Sequence, residues 1–192
     1  MVAGVIIGSN EVCAGSTGNV YSVAPIANAL EYVWTLPDGS VVPTNSNTIT
    51  FDYNVSATSG LLTVEGKNDC GNGIPSVLPI TVIAPPVLSS SLTDEVCSNT
   101  TFNYTPTSSS AVNYNWVRNF VPGISPATSL GSNAINEVLT NTTNSPVIVT
   151  YTYTLETLEG CTNTASQDVQ VIGSAVVTPP EPNCNPVGAS IW

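Results

Sequence analysis

The feature that most constrains this chain is that it repeats itself. Tyr32-Val33-Trp34 and Tyr114-Asn115-Trp116 place two of only three tryptophans in one local pattern. Around them the same order recurs. Val12-Cys13 and Val96-Cys97 come first, then Val20–Val23 and Phe102–Thr105, then the two Tyr-x-Trp segments. Next stand Gly60–Cys70 and Val147–Cys161, and last Leu78–Pro86 and Asp168–Gly173. A chain of 192 residues holding two copies of one plan reads as two modules of ordinary domain size. The expected boundaries are 1–84 and 85–173. The Pro85-Pro86 pair between them is extended and semi-rigid, a short proline hinge. Residues 174–192 repeat the proline signature and read as a linker or the start of a following element.

Each copy is read as strands. Thr, Ser and Asn make up about a third of the chain; with Val and Ile they suit half-buried strands and polar turns. Period-two alternation predicts strands near 19–24, 30–36, 47–53, 61–67 and 77–83 in the first module. In the second it predicts 100–105, 112–118, 134–140, 147–157 and 167–172. Residues 2–7 and 86–91 are expected to be first strands. Turn residues separate these runs, as at Pro37-Asp38-Gly39, Gly71-Asn72-Gly73 and Pro122-Gly123. Six or seven short strands in about 85 residues predict an all-β chain of two tandem immunoglobulin-like β-sandwiches. Tyr32 and Trp34, and Tyr114 and Trp116, are the expected core signature. Each indole fills the space between two sheets.

Composition excludes several functions. Two basic residues, Lys67 and Arg118, stand against thirteen acids, for a net charge of −11. Nucleic-acid phosphates and anionic lipid both require clustered Lys and Arg, so neither is a partner. There is no histidine, hence no Ser-His-Asp or Cys-His nucleophile, and no glycine-rich loop leads into a helix to cradle phosphates. No catalytic residue and no cofactor are assigned. Calcium is the metal these residues best suit, through Asp38, Asp52 and Asp69 at loops or strand ends, although their spacing matches no calcium loop. No apolar run of eighteen residues is present, so no helix of this segment is expected to insert in a membrane. The first residues lack the basic start of a signal peptide, which reads as an interior segment of a longer protein.

At this level the residues resemble a family. The second module, with Trp116-Val117-Arg118, Gly123-Ile124, Asn136–Thr143, Val149–Tyr153 and Gly160-Cys161-Thr162, is similar to the PKD-like modules of secreted surface proteins of Bacteroidota. The first resembles a sister type through Tyr21, Tyr32, Trp34, Pro37, Gly39, Gly60 and Asn68-Asp69-Cys70-Gly71. Trp34-Thr35-Leu36-Pro37-Asp38-Gly39 departs from the acidic WDFGDG signature of PKD domains proper. The resemblance implies a non-catalytic structural or adhesive repeat of a large exported protein. It implies the stalk or fibre of an adhesin on the bacterial surface, attached at the outer membrane. Type IX secretion and gliding motility are the settings in which such modules occur, and neighbouring modules of the same chain are the implied partners. The alternative is a carbohydrate- or protein-binding accessory module of an exported enzyme. That reading calls for exposed aromatics, with Tyr53, Phe120, Tyr151, Tyr153 and Trp192 as candidates.

Five cysteines without CxxC spacing read as disulfides of an oxidising compartment. The expected pairs are Cys13–Cys70 and Cys97–Cys161, each closing about 60 residues and contributing about 4 kcal/mol in the chain-entropy model. Cys184 is left over, its partner expected beyond residue 192. The pairing meets a geometric difficulty. In simple immunoglobulin order the two cysteines of a module lie at opposite ends of the sandwich, and a bridge spans only about 7 Å between Cα atoms. Lys67 is the one lysine available for an internal amide with asparagine, as in some surface fibres. Asn54, Asn99, Asn103 and Asn141 stand in Asn-x-Ser/Thr sequences. Sheet edges rich in Thr and Val and poor in Lys are expected to be open to lateral pairing.

Overall fold

A computed structural model describes residues 1–173. The expected linker at 174–192, with Cys184 and Trp192, lies outside the described residues. The chain divides into two compact units, Met1–Pro85 and a second beginning at Pro86. Both are all-β.

In the first unit the strands are β1 Glu11–Cys13, β2 Asn19–Ser22, β3 Glu31–Thr35, β4 Val41–Thr44, β5 Thr48–Phe51, β6 Gly60–Asn68, β7 Gly71–Asn72 and β8 Ser76–Ile83. The larger sheet runs β1-β8-β6-β3-β4, with β7 added to β6, and β2 pairs β5 in the smaller one. β1 is parallel to β8, with Cys13 opposite Ile83; the other pairings are antiparallel. The inward residues of β3 and β6 alternate as the sequence does. Trp34, Leu62 and Val64 are fully buried and Tyr32 nearly so, in one core cluster with Tyr21 and Ile49 of the other sheet and with Val23 just past β2. Closing an indole into such a core contributes several kcal/mol, at about 25 cal/mol per Å² of apolar surface.

The second unit repeats the plan with β9 Thr93–Cys97, β10 Thr100–Tyr104, β11 Val112–Arg118, β12 Ile124–Ser125, β13 Ser129–Ser132, β14 Ile135–Asn141, β15 Val147–Thr157 and β16 Thr162–Ile172. Its sheets are β13-β11-β15-β16-β9 and β10-β14-β12. β9 is again parallel to the last strand, Cys97 facing Ile172. Trp116 is buried and meets the Tyr151 ring edge-on at 5.5 Å, while Tyr114 is half-buried with its hydroxyl donating to Ser108 Oγ. Trp116 lies opposite Gly131 of β13. A Cβ at 131 would stand 2.5 Å from the indole Cζ2, so glycine makes room for the ring there.

Several boundaries differ from expectation. Residues 2–7 and 86–91 form only isolated bridges, Val2 to Ile74, Ile7 to Ser22 and Leu88 to Ser108. The pairing strands come later, at β1 and β9. The leading segments are tied instead by tyrosines. Tyr21 donates to the Ser9 carbonyl at 2.9 Å, and Tyr104 to that of Ser91 at 2.9 Å. β16 starts at Thr162, five residues before the expected start, because its partner β15 is long enough to pair with all of it. β4, β7, β12 and β13 had no expected counterpart, β7 falling where a turn was read.

Candidate functional site

The cysteines depart furthest from expectation. Cys70 is free and exposed, which overturns the Cys13–Cys70 pair. Cys13, Cys97 and Cys161 are disulfide-bonded. The register also rules out Cys97–Cys161. Cys97 faces Ile172 at one end of β16, whereas Cys161 precedes Thr162 at the other. Ten residues of strand separate them, roughly 33 Å, far beyond what a bridge spans. The same holds in the first unit, where Cys13 lies level with Ile83 and Cys70 beyond the far end of β6. In both units the first-strand cysteine marks the trailing end, and the cysteine between the last two long strands marks the leading end.

Buried chemistry gathers in the second unit. Arg118 alternates with Trp116 on the inward face of β11, and Glu137 alternates with Ile135 and Leu139 on β14. Arg118 has no exposed surface, and its Nη2 lies 2.7 Å from Glu137 Oε1 and 2.8 Å from the Pro126 carbonyl. Its Nε donates to Glu137 Oε2 at 3.2 Å, and the Tyr151 hydroxyl donates to the same oxygen. Burial alone would raise the Glu137 carboxyl; the hydrogen bonds from Arg118 and Tyr151 outweigh it and hold it below its ordinary value. Burial, with Glu137 alongside, pushes the Tyr151 hydroxyl up. The donors and acceptors of this triad are turned on one another, on backbone and on the Ser129 side chain, so its chemistry serves the fold. Asn141 behaves likewise. Its amide nitrogen donates to Ser145 and Val171 carbonyls, both at 2.8 Å, and its Oδ1 accepts from Thr143. Asn141 is therefore buried and fully bonded in the folded module.

The surface of the first unit holds a small open cavity of about 50 Å³ lined by Leu36, Pro37, Asp38, Phe51, Asp52, Tyr53 and neighbours. Asp38 Oδ1 accepts from the Ser40 amide at 2.8 Å, which lowers the pKa of its carboxyl, and Asp52 Oδ1 accepts from Gly18 N at 2.7 Å. Asp69, the third calcium candidate, lies past the opposite end of the β3–β6 ladder, where Glu31 faces Lys67. Among the described residues no three His, Cys, Asp or Glu side chains gather to hold a metal.

The aromatic candidates do not form an exposed row. Tyr53, Tyr151 and Tyr153 are core residues, and Phe120 is exposed; Trp192 lies outside the described residues. Lys67 is half exposed and pairs with Glu31 at 3.3 Å, a solvated strand end. The edges of the large sheets are better guarded than expected. β4 carries Pro43, which cannot donate to a ladder, and β1 and β9 carry Glu11, Asp94 and Glu95. β13, with Leu130 exposed, has no such guard. Among the described residues no helix is long and apolar enough to cross a membrane.

No curated protein matches this chain. Among solved structures it is similar to the I-band fragment I67-I69 from titin, with 14% identity over 90% of this chain and 66% of that one and a TM-score of 0.43. It is similar also to the insect immune protein hemolin, with 14% identity over 90% of this chain and 46% of that one and a TM-score of 0.45. The third is the set of three N-terminal domains of the bacteriophage RB49 outer capsid protein Hoc, with 13% identity over 91% of this chain and 70% of that one and a TM-score of 0.49. The chain thus spans 66% and 46% of the length of the first two. Residues 1–80 match the family model described as a PKD-like domain, and the chain is built of two tandem immunoglobulin-like β-sandwich modules.

Proposed function

We propose that this chain is a non-catalytic structural and adhesive segment, a stretch of stalk or fibre, of a large secreted protein on a bacterial cell surface. The observation that supports it best is the use to which each module puts its chemistry. Both indoles and the one buried ion pair are sealed between sheets, while the disulfide-forming cysteines sit at module ends, Cys13 and Cys97 level with the last residues of β8 and β16. Modules of this kind transmit load and set spacing, and partners are the neighbouring modules of the same chain. The PKD-like match over residues 1–80 and the bonded cysteines fit export to an oxidising compartment. Export by type IX secretion to an outer-membrane-attached adhesin, in gliding motility or otherwise, completes the reading. Antibody raised against the folded chain tests it: labelling of intact source cells is expected, and labelling only after lysis contradicts it.

A second reading rests on the cavity beside Phe51. An aromatic ring flanked by Asp38 and Asp52, each with a carboxylate oxygen to spare, is chemistry that suits a sugar or a calcium ion. It makes the first unit a glycan-binding accessory module of an exported enzyme. A glycan array reads this out. Binding that Asp52→Ala abolishes favours it, and a blank array leaves the stalk reading alone.

A further inference from the structure

The two units allow one cysteine to be read against its counterpart. Cys70 and Cys161 occupy the same place: each lies in the turn after the penultimate long strand, β6 or β15. Each also stands beside the first residues of its own unit. Ile74, four residues after Cys70, donates its amide to the Met1 carbonyl at 2.9 Å, and its carbonyl accepts from Ala3 at 3.0 Å. Asn163, two residues after Cys161, donates to the Pro86 carbonyl at 2.9 Å. One of this matched pair, Cys161, is disulfide-bonded, while the other is an exposed thiol.

The turn that carries Cys70 is held in place. Asn68 Oδ1 accepts from the Cys70 amide at 2.9 Å, and Asn68 Nδ2 donates to the Asn28 carbonyl at 3.0 Å. Gly71 follows at φ +114°, a conformation side chains resist, and returns the chain into β7. The thiol is therefore presented outward from a fixed loop. Its own module cannot supply a partner, since Cys13 lies at the trailing end, more than ten residues of strand away.

We propose that Cys70 is a covalent docking point for the first-strand cysteine of a module of the same kind placed directly before this one. In both units that cysteine sits level with the last residues of the final strand, Cys13 with Ile83 and Cys97 with Ile172. The strand that such a cysteine pairs with would lead directly into Met1, and Met1 and Ala3 are hydrogen-bonded to Ile74, four residues after Cys70. The two thiols give up two protons and two electrons to a disulfide-bearing oxidant, which becomes a dithiol, and one S–S bond forms between modules. The result is a stalk whose joints are stapled as well as hinged. The inference rests on the reading of the chain as a segment of repeated modules, and its test is independent of where the protein resides.

The test extends the full chain with a second copy of residues 1–85 ahead of Met1, carrying Cys70→Ser in that copy. The unextended chain is expected to react with one equivalent of thiol reagent under denaturing, non-reducing conditions. The extended chain, oxidised in glutathione buffer, is expected to react with none, and peptide mapping is expected to join Cys70 to a Cys13 peptide. Two free thiols, or glutathione carried on Cys70, overturn the proposal. Should circular dichroism show the extension unfolded, a copy of residues 86–173 carrying Cys161→Ser replaces it. Cys97 is then the expected partner, and a free Cys70 there overturns the proposal equally.

Discussion

Replacing Glu137 by leucine isolates the cost of a buried charge. The substitution leaves Arg118 with no exposed surface and without its counter-ion, its guanidinium then held only by the Pro126 and Ala127 carbonyls. Breaking a buried pair from one side costs about 3–5 kcal/mol, because an uncompensated charge stays in low dielectric. Removing both charges is different. Arg118→Met with Glu137→Leu forfeits the attraction but also the desolvation, and leaves the Tyr151 hydroxyl as the main orphan at about 1–3 kcal/mol. The double variant is therefore expected to recover more than half of what the single one loses. Hydrogen exchange with mass spectrometry measures this within one molecule, since amides of the β3–β6 ladder report the first unit and those of β11–β15 the second. Protection of β15 is expected to fall by roughly two to three and a half orders of magnitude in Glu137→Leu, with β6 unchanged. A loss of less than about tenfold, or a double variant no better than the single, would refute the claim that the triad is a paired, desolvated core element.

Other outcomes follow from the same contacts. Gly131→Ala places a Cβ against the Trp116 ring and is expected to destabilise the second unit by about 1–3 kcal/mol, read as a lower urea midpoint. Trp34→Ala empties the centre of the first core and is expected to cost about 3–5 kcal/mol there, with β15 protection unmoved. Acid should loosen the second unit first. The folded Glu137 carboxyl is depressed, so its contribution is complete above the ordinary carboxyl pKa of about 4.3 and is lost as pH falls below it; thermal melts between pH 6 and pH 3 check this. A chelator is expected to leave the melting temperature unchanged, and a drop would restore a calcium site.

Much of this fold is written in alternation. The period-two runs of β3, β11 and β15 show which residues share a face, because each strand is buried on one face and open on the other, but the run of β15 left open which face is inward, and Tyr151 and Tyr153, candidates for an exposed row, lie in the core. The buried ion pair is legible in the same way, since Arg118 shares the face of Trp116 and Glu137 that of Leu139. Alternation tells which face a residue takes but not which end of a strand it meets, and the disulfide pairing depended on ends. The register that sends Cys97 to Ile172 comes from β9 lying parallel to β16, a pairing between residues 75 positions apart with no local signature. β4 was hidden by Pro43, a residue that argues against a strand unless the strand is at an edge, as this one is. The tyrosines that tether the leading segments, Tyr21 and Tyr104, were visible as strand residues, but their hydroxyl partners 12 and 13 residues upstream were not.

The central claim is that each half of the chain seals one indole between two sheets and exposes no reaction centre around it. Solvent exchange of the indole N–H groups, followed by NMR, tests it most directly. The Trp34 and Trp116 signals are expected to persist for hours in D2O and to stay unmoved by added sugars. Their loss within minutes, or a shared response to a small ligand, would show two open rings beside a cleft and contradict the account.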